Sequence, residues 1–389
     1  MKPKFKEWIF LFFIILFPLV LGVQTTLHEP RVYDWGDYRD LTIRVDVSSL
    51  FSKDNNVEEF LRDQLPLRDM ATSLDRNLQY ALRGKIRNQV IIGKKRQLYL
   101  GNDYGMIEDN IRGTWIANEE LRKNVSENVE KLNRVSGTLA KSGKEFVLII
   151  APSKESVYKE ELPSWYTSKG ASVADFYKSN ANFKLIDLRP PLRSAKLDGK
   201  KVFYTNGTHW NHLGAYIGVK FLHDADKDLF KIPLSPISAF RKLNETPINV
   251  QLSRNLGPEF PGFGPETRLW QMMKLSPLRR GVVETDFVYQ NLSSKWSLCS
   301  KVSAADFTTC RDNDLLPTAV VFRDSFAEYA QQYLSEYFSK VRYIVGIGID
   351  SRMLRESDPD IVVLMLIERA LLAPLGISDD LVALQSDSG

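Results

Sequence analysis

The stretch TAVVFRDSFAE, residues 318–328, joins a short β-branched run to the start of a helical pattern. Residues 318–322 predict a buried strand, and EYAQQYLSEYF, residues 328–338, predicts a helix. Ser325 therefore lies at a strand-to-helix turn, where backbone N–H groups can point at a developing oxyanion. The same place suits a helix N-cap, because Ser and Asp side chains accept hydrogen bonds from the first turn.

A second, distant stretch carries the other candidate group. VFYTNGTHWNHLG, residues 202–214, places His209 just ahead of an apolar run that predicts a helix over 213–226. An imidazole within hydrogen-bond reach of Ser325 can take its proton, which makes the hydroxyl a nucleophile. A single histidine beside a tryptophan more often serves packing, so the pairing depends on the motifs occurring together.

The elements around these stretches predict the fold class. Asn118 opens a long helical pattern that stops at Gly143, and FVLII, residues 146–150, follows as a continuous apolar run typical of a buried parallel strand. A hairpin is predicted around Gly93. Further strands are predicted at 184–187, 343–345 and 361–367. This alternation favours an α/β fold with a mostly parallel sheet and helices on both faces.

The chain is expected to have three parts. Residues 1–25 form a membrane anchor or signal peptide, 26–84 form a tether and a helical lead-in, and 85–389 form one domain. Within that domain the segment 229–314 is rich in Pro, Gly and aromatic residues and is expected to cover the sheet irregularly.

The N-terminal segment predicts export. Lys2, Lys4 and Lys6 precede an apolar run of 16 residues, 8–23, interrupted only by Pro18. This length is between that of a signal-peptide core and that of a membrane span. An uncleaved anchor is favoured, with the rest of the chain at the periplasmic face of the inner membrane by the positive-inside rule. A cleaved signal peptide would leave the chain free in the periplasm.

Composition excludes several classes of partner. The 389 residues include 52 basic and 48 acidic side chains, for a net charge of +4, and no basic run predicts nucleic-acid binding. The sequence contains no P-loop and no Gly-rich dinucleotide turn, so no cofactor is expected. Its four histidines and two cysteines lack the spacing of a zinc site, and no metal is expected.

Cys299 and Cys310 are the only cysteines. In an exported protein they can pair as a structural disulfide, which the sequence favours over two unrelated buried thiols.

Six pieces of the sequence, in this order, resemble the AlgX/AlgJ-type polysaccharide O-acetyltransferases, which have an SGNH-hydrolase-like domain. The pieces are LRDQLPLRD, VIIGKKRQLYL, APSKESVYKEELP, THWNHLGAY, FRDSFAEY and PDIVVLMLIER. The chain resembles the membrane-anchored AlgJ type more than AlgX. The resemblance implies acetyl transfer to an exported polysaccharide, with Ser325 as nucleophile, His209 as base and a multispanning membrane acyltransferase as acetyl donor.

One position departs from the family pattern. The family has an aspartate two residues before the histidine, and here that residue is Gly207. Asn206 can orient the imidazole through its amide oxygen, or it can simply form a turn with Gly207. Asp187 and Asp324 are alternative carboxylates.

Four further residues are candidates for substrate binding. Lys154 and Tyr158 follow a predicted strand end and can contact sugar, although a solvated loop is the alternative. Trp210 can stack on a sugar ring or pack against His209, and Arg323 can assist an oxyanion or form a surface ion pair. Glu368 and Arg369 are expected to close the domain.

A carbohydrate esterase and a non-catalytic subunit of a polysaccharide export machine remain alternative functions.

Overall fold

A computed structural model describes part of the chain. The described residues are 33–34, 39–40, 85–86, 90–164, 166, 170–205, 207–242, 246–249, 283–286, 289–291, 296–303 and 306–383. The chain divides into two units, 1–87 with 253–282, and 88–252 with 283–389. The second unit carries the sheet. The predicted anchor and helical lead-in, residues 1–25 and 26–84, lie almost entirely outside the described residues. Among the helices described, none has both the length and the apolarity to cross a membrane.

The second unit is built on a seven-stranded sheet. Its strands are β1 Glu145–Ala151, β2 Lys184–Asp187, β3 Ser297–Lys301, β4 Asp306–Cys310, β5 Thr318–Arg323, β6 Lys340–Val345 and β7 Ile361–Ile367. They lie in the order β3-β4-β6-β5-β7-β1-β2. The five strands from β6 to β2 are parallel, whereas β4 is antiparallel to both of its neighbours, β3 and β6. The predicted mostly parallel sheet is confirmed.

Helices cover both faces of this sheet. They are α1 Glu119–Lys141, α2 Val173–Asn180, α3 Arg189–Leu197, α4 His212–Ala225, α5 Ala327–Leu334 and α6 Ser351–Ser357. Alternate strand residues point to opposite faces. Val321 and Val363 pack in the core with α3, α4 and α5, and Val320 and Leu364 pack in the core with α1, α2 and α6. Both faces are buried, which explains the continuous apolar runs in the sequence.

The predicted helix α1 and the predicted hairpin are both present. Asn118 caps α1, because its side chain accepts a hydrogen bond from Leu121 N at 3.2 Å. Gly143 follows the helix with φ +71°, a conformation that glycine adopts without a side-chain clash. The hairpin pairs Val90–Ile92 with Leu98–Leu100 in antiparallel register.

The described residues of the segment 229–314 include two strands of the sheet. Strands β3 and β4 extend the sheet beyond β6, with Thr309 opposite Val341. Strand β3 is exposed along its whole length, so it needs no alternating apolar pattern. Cys299 and Cys310, on these two strands, form a disulfide with their Cα atoms 5.7 Å apart.

The remaining elements of the described chain are short. The helical ones are Asn102–Gly105, Ile107–Ile111, Lys154–Val157 and Asp379–Ala383, with 3-10 turns at Lys94–Arg96, Thr114–Ile116, Lys159–Glu161, Ile237–Ala239, Ser335–Tyr337 and Glu368–Leu372. The strand pairs are Tyr33–Asp34 with Arg39–Asp40, Phe240–Lys242 with Tyr289–Asn291, Thr246–Asn249 with Val283–Asp286, and Gly348–Ile349 with Gly376–Ile377.

Candidate active site

Ser325 lies beyond the carboxyl end of β5, at the edge of the sheet where open α/β folds place their ligands. The preceding Asp324 fixes this turn, because its carboxylate accepts hydrogen bonds from Phe326 N at 2.8 Å and from Ile367 N at 2.6 Å. The second of these bonds joins the ends of β5 and β7. Ser325 itself is exposed, so its hydroxyl is open to a substrate.

His209 is presented by a closed loop ahead of α4. An antiparallel bridge pairs Phe203 with Trp210. Asn211 ends the loop as the cap of α4, accepting from Gly214 N at 2.8 Å. A side chain at Gly214 would meet Val202 O at 2.2 Å, so this position requires glycine. The backbone on both sides of the imidazole is therefore fixed.

The two predicted groups meet. His209 Nε2 lies 3.0 Å from Ser325 Oγ. The imidazole stacks on Phe326, with the ring centroids 4.5 Å apart and the planes 23° from parallel. Trp210 Nε1 donates to Phe326 O at 2.8 Å. These contacts thus fix the loop that carries His209 against the turn that carries Ser325.

Thr208 supplies the second contact of the imidazole. Its Oγ1 lies 3.0 Å from His209 Nδ1. For Nε2 to accept the proton of Ser325, Nδ1 must carry the ring hydrogen and donate it to the Thr208 oxygen. Sequence reasoning missed this residue, although its place directly before His209 was available as a signal.

The carboxylates considered from the sequence are engaged elsewhere. Asp324 accepts two backbone N–H groups, and Asp187 is paired with Arg189 at 2.8 Å. Asn206 lies outside the described residues, so its proposed orienting role stays a prediction. The carbonyl of Gly207 accepts from Lys154 Nζ at 3.3 Å.

Burial and a nearby cation keep His209 neutral. Desolvation first, and then the positive charge of Arg369, lower the pKa of His209 to about 4. The imidazole is therefore available as a proton acceptor at neutral pH. Arg369 is half-buried, with its guanidinium carbon 5.7 Å from the centroid of the Phe326 ring. It contributes to the electrostatics of the site, a role that sequence reasoning did not assign to it.

The structure corrects the expectations for Lys154 and Tyr158. Lys154 is only 2 % exposed, and its ammonium donates to backbone carbonyls rather than facing a substrate. The Tyr158 ring is buried and its hydroxyl accepts from Val202 N at 3.2 Å. Neither side chain is available to a sugar.

Trp210 and Arg323 are also buried. Trp210 is 0 % exposed, so it packs beneath the site and offers no face to a sugar ring. Arg323 Nη1 donates to Asp324 O at 3.2 Å, and its guanidinium faces the side-chain amide of Gln331. The burial of Trp210 comes from segments more than 100 residues apart folding over one another, and it favours packing over contact with a sugar ring.

Within the described ranges, no three His, Cys, Asp or Glu side chains are placed together as a metal site.

The chain is similar to several known proteins. The family model of the SGNH hydrolase-like domain of acetyltransferase AlgX matches residues 111–245. A probable alginate O-acetylase AlgJ of Pseudomonas fluorescens is 31 % identical over 189 residues, covering 46 % of this chain and 43 % of that protein. The Azotobacter vinelandii protein of the same name is 27 % identical over 187 residues, covering 46 % and 44 %. The chain thus spans less than half the length of these curated relatives.

Two solved structures are also similar. Bacillus cereus PatB1 has a TM-score of 0.50 at 11 % identity, with 72 % of this chain and 96 % of that chain covered, and it shows a shared fold. The O-acetyltransferase domain of Pseudomonas putida AlgJ has a TM-score of 0.48 at 19 % identity, with 74 % and 93 % covered.

Proposed function

We propose that this chain, a relative of the AlgX/AlgJ acetyltransferases, moves acetyl groups onto a polysaccharide through an acetyl-serine intermediate at Ser325. The observation that carries the proposal is the 3.0 Å contact between His209 Nε2 and Ser325 Oγ. It joins an exposed hydroxyl to a neutral imidazole, the arrangement that activates a serine nucleophile.

In the first step, Ser325 Oγ attacks the carbonyl carbon of an acetyl ester while His209 Nε2 takes the hydroxyl proton. The tetrahedral intermediate collapses as the donor's ester bond breaks, and the imidazolium returns the proton to the leaving oxygen. In the second step, a sugar hydroxyl attacks the acetyl-serine and gives its proton to Nε2. The serine ester bond then breaks, and the imidazolium returns the proton to Ser325 Oγ, which restores the hydroxyl and the neutral base. Water in place of the sugar gives hydrolysis instead.

The turn offers a donor for the oxyanion. Ser325 N–H makes no hydrogen bond to another described residue, whereas Phe326 N–H is bound to Asp324. This N–H can donate to the charge that develops on the acetyl oxygen. The positive charge of Arg369 beside the pair acts in the same direction.

The substrate, donor and location follow from the same proposal. The relatives are named alginate O-acetylases, so the acceptor proposed here is an exported polysaccharide of that kind. The Lys-rich apolar N-terminus supports anchoring at the periplasmic face of the inner membrane, and the disulfide of Cys299 with Cys310 suits an oxidising compartment. A multispanning membrane acyltransferase would then deliver the acetyl group.

The test is covalent labelling followed by transfer. Purified protein is incubated with a small activated acetyl ester, and peptide mass spectrometry locates the acetyl group. An oligosaccharide acceptor is then added, and its acetylation is compared with the release of free acetate. Ser325→Ala is expected to abolish both labelling and transfer, a loss of at least about 10³-fold. Ser142→Ala, an exposed serine after α1, is the matched control and is expected to behave as the wild type.

Labelling of Ser325 with release of acetate only, in the presence of acceptor, would identify an esterase. Labelling that is unchanged in Ser325→Ala would overturn both enzymatic readings.

A further inference from the structure

A buried ammonium group lies beneath the loop that presents His209. Lys154 follows β1 in the short helix Lys154–Val157 and is 2 % exposed. Its Nζ donates to Tyr204 O at 2.7 Å, Thr205 O at 2.6 Å and Leu98 O at 2.8 Å, with Gly207 O at 3.3 Å. A buried charge is costly unless it is hydrogen-bonded in this way.

Three of these four acceptors belong to one segment of the loop, residues 204–207, which directly precedes Thr208 and His209. The fourth, Leu98, is in the hairpin, and Leu98 N donates to Thr205 O at 2.9 Å. Carbonyl groups that point at a common centre require a fixed backbone path. The ammonium therefore holds the loop and the hairpin together at the point from which the imidazole projects.

We propose that Lys154 is a positioning residue for His209, which fixes the imidazole against Ser325 by binding the carbonyls of the 204–207 loop. The role rests on the proposed function, because it concerns the placement of the same base. In the family pattern, an aspartate at the position of Gly207 would contact the histidine. Here the carbonyl of Gly207 is bound by the ammonium instead, and the Thr208 hydroxyl contacts Nδ1.

The rate depends on this placement because proton transfer needs the two atoms within about 3.2 Å of each other. A displacement of about 1 Å in an active site can reduce the rate about 100-fold. Loss of the ammonium leaves the loop carbonyls without their common donor. The loop is then expected to move away from Ser325 while the sheet beneath it is kept.

The test compares two lysines. Lys154→Met keeps the length of the side chain and removes the donor. Lys196→Met is the matched control, because Lys196 also places its ammonium over a tyrosine ring, at 5.4 Å for Tyr158 against 5.3 Å for Lys154 over Tyr99. Lys196 Nζ donates to Val157 O at 2.8 Å, which is not part of the 204–207 loop.

Two quantities are measured on the folded proteins. The first is the rate at which Ser325 is acetylated, expected to fall about 30- to 100-fold in Lys154→Met and by less than about twofold in Lys196→Met. The second is the NMR titration of the His209 ring, whose pKa is about 4 when the ring is held by burial and by Arg369. A released imidazole is expected to titrate closer to the ordinary value of about 6.5. A change confined to overall stability would leave the titration of the folded molecules where it is.

Lys154→Gln provides a second test if the methionine variant does not fold. Its amide is polar but too short to reach the same carbonyls, so the same direction of change is expected in both measurements. Wild-type acetylation and an unshifted His209 titration in either folded variant would overturn the proposal. The ring titration needs no acetyl transfer, so it separates a failure of this role from a failure of the proposed function.

Discussion

Two neighbouring parts of the same sheet edge use polar side chains in opposite ways. At the end of β5, the side chains of Ser325 and His209 are in contact and both are uncharged, and the serine is exposed. At the ends of β7, β1 and β2, a cluster of charged groups is closed off from solvent, with Glu368 0 % exposed and Arg189 nearly as buried. Comparison of the two shows that chemistry is expected where a polar group is accessible and incompletely paired, rather than where the charge is greatest.

The charged cluster has a structural role. Glu368 Oε1 lies 3.3 Å from Arg189 Nη1, and the other oxygen of Glu368 accepts from the Ser156 hydroxyl and from Ser153 N. Arg189 also pairs with Asp187 at 2.8 Å. These bonds join the residues that follow three adjacent strands. Because each group has several partners, the cluster stabilises the edge on which Ser325 and His209 lie.

The largest expected effect on stability comes from removing the arginine of this cluster. Arg189→Met leaves the buried Glu368 without its cation, and the loss of one partner of a buried pair costs about 3–5 kcal/mol. Urea unfolding followed by circular dichroism measures this loss. The acetylation rate of Ser325 per folded molecule should stay within about threefold of wild type, since neither Ser325 nor His209 contacts Arg189.

Arg342→Met is the control for this prediction. Arg342 also pairs with an aspartate, Asp306, at 2.7 Å, but both partners reach solvent. A cost of about 1 kcal/mol or less is expected there. Equal losses in the two variants would show that burial does not distinguish the two pairs.

The sheet could be predicted from the sequence because its central strands are short continuous apolar runs. Residues 146–150 and 361–367 are such runs, and the strands extend over Glu145–Ala151 and Ile361–Ile367. Strand β3 gave no such signal, because an exposed edge strand needs no apolar face. Its presence depends on pairing with β4, which a local pattern does not contain.

The contact of Ser325 with His209 was predictable in type, because a serine at a strand-to-helix turn and a histidine before a helix carry local signals. The burial of Lys154 was not predicted, whereas packing of Trp210 was one of its two predicted alternatives. A lysine after a strand is normally solvated, and only the distant 204–207 loop turns Lys154 into a buried donor. Whether a side chain is buried thus depends on contacts between segments that are distant in the sequence. A buried side chain supports the fold, whereas an accessible one can contact a substrate.

A smaller effect is expected at Glu155, which lies between the two regions. Burial raises the pKa of Glu155 to about 7, against an opposing effect of Arg369. The folded state then keeps a proton that the unfolded state loses, so the free energy of unfolding falls as pH rises from about 4.5 to about 7. The fall amounts to about 3 kcal/mol at most.

Glu155→Gln removes this dependence, because the amide resembles the neutral acid. The variant should therefore be more stable than wild type at pH 8 and similar to it at pH 4.5, as measured by thermal unfolding at both values. Glu130→Gln, an exposed position on α1, should show little change at either pH. A difference between Glu155→Gln and wild type that is the same at both pH values would contradict the raised pKa.

The smallest expected effect concerns Thr208, whose hydroxyl contacts Nδ1 of His209. Thr208→Val keeps the shape of the side chain and removes the oxygen 3.0 Å from Nδ1. A neutral hydrogen bond contributes about 0.5–1.5 kcal/mol, so the acetylation rate should fall about 3- to 10-fold with little change in unfolding temperature.

Asn206→Ala is the informative partner of this variant, because an orienting role is one of the two alternatives that the sequence offers for Asn206. If Thr208 orients the ring, only the valine variant is slowed. If the asparagine variant is slowed and the valine variant is not, the amide holds the imidazole and the Thr208 contact is incidental. A hydroxyl stabilises the imidazolium less than a carboxylate does, so a modest loss at Thr208 is what a neutral reactive pair predicts. A loss of about 10⁴-fold would mean that an ionised group acts through this position.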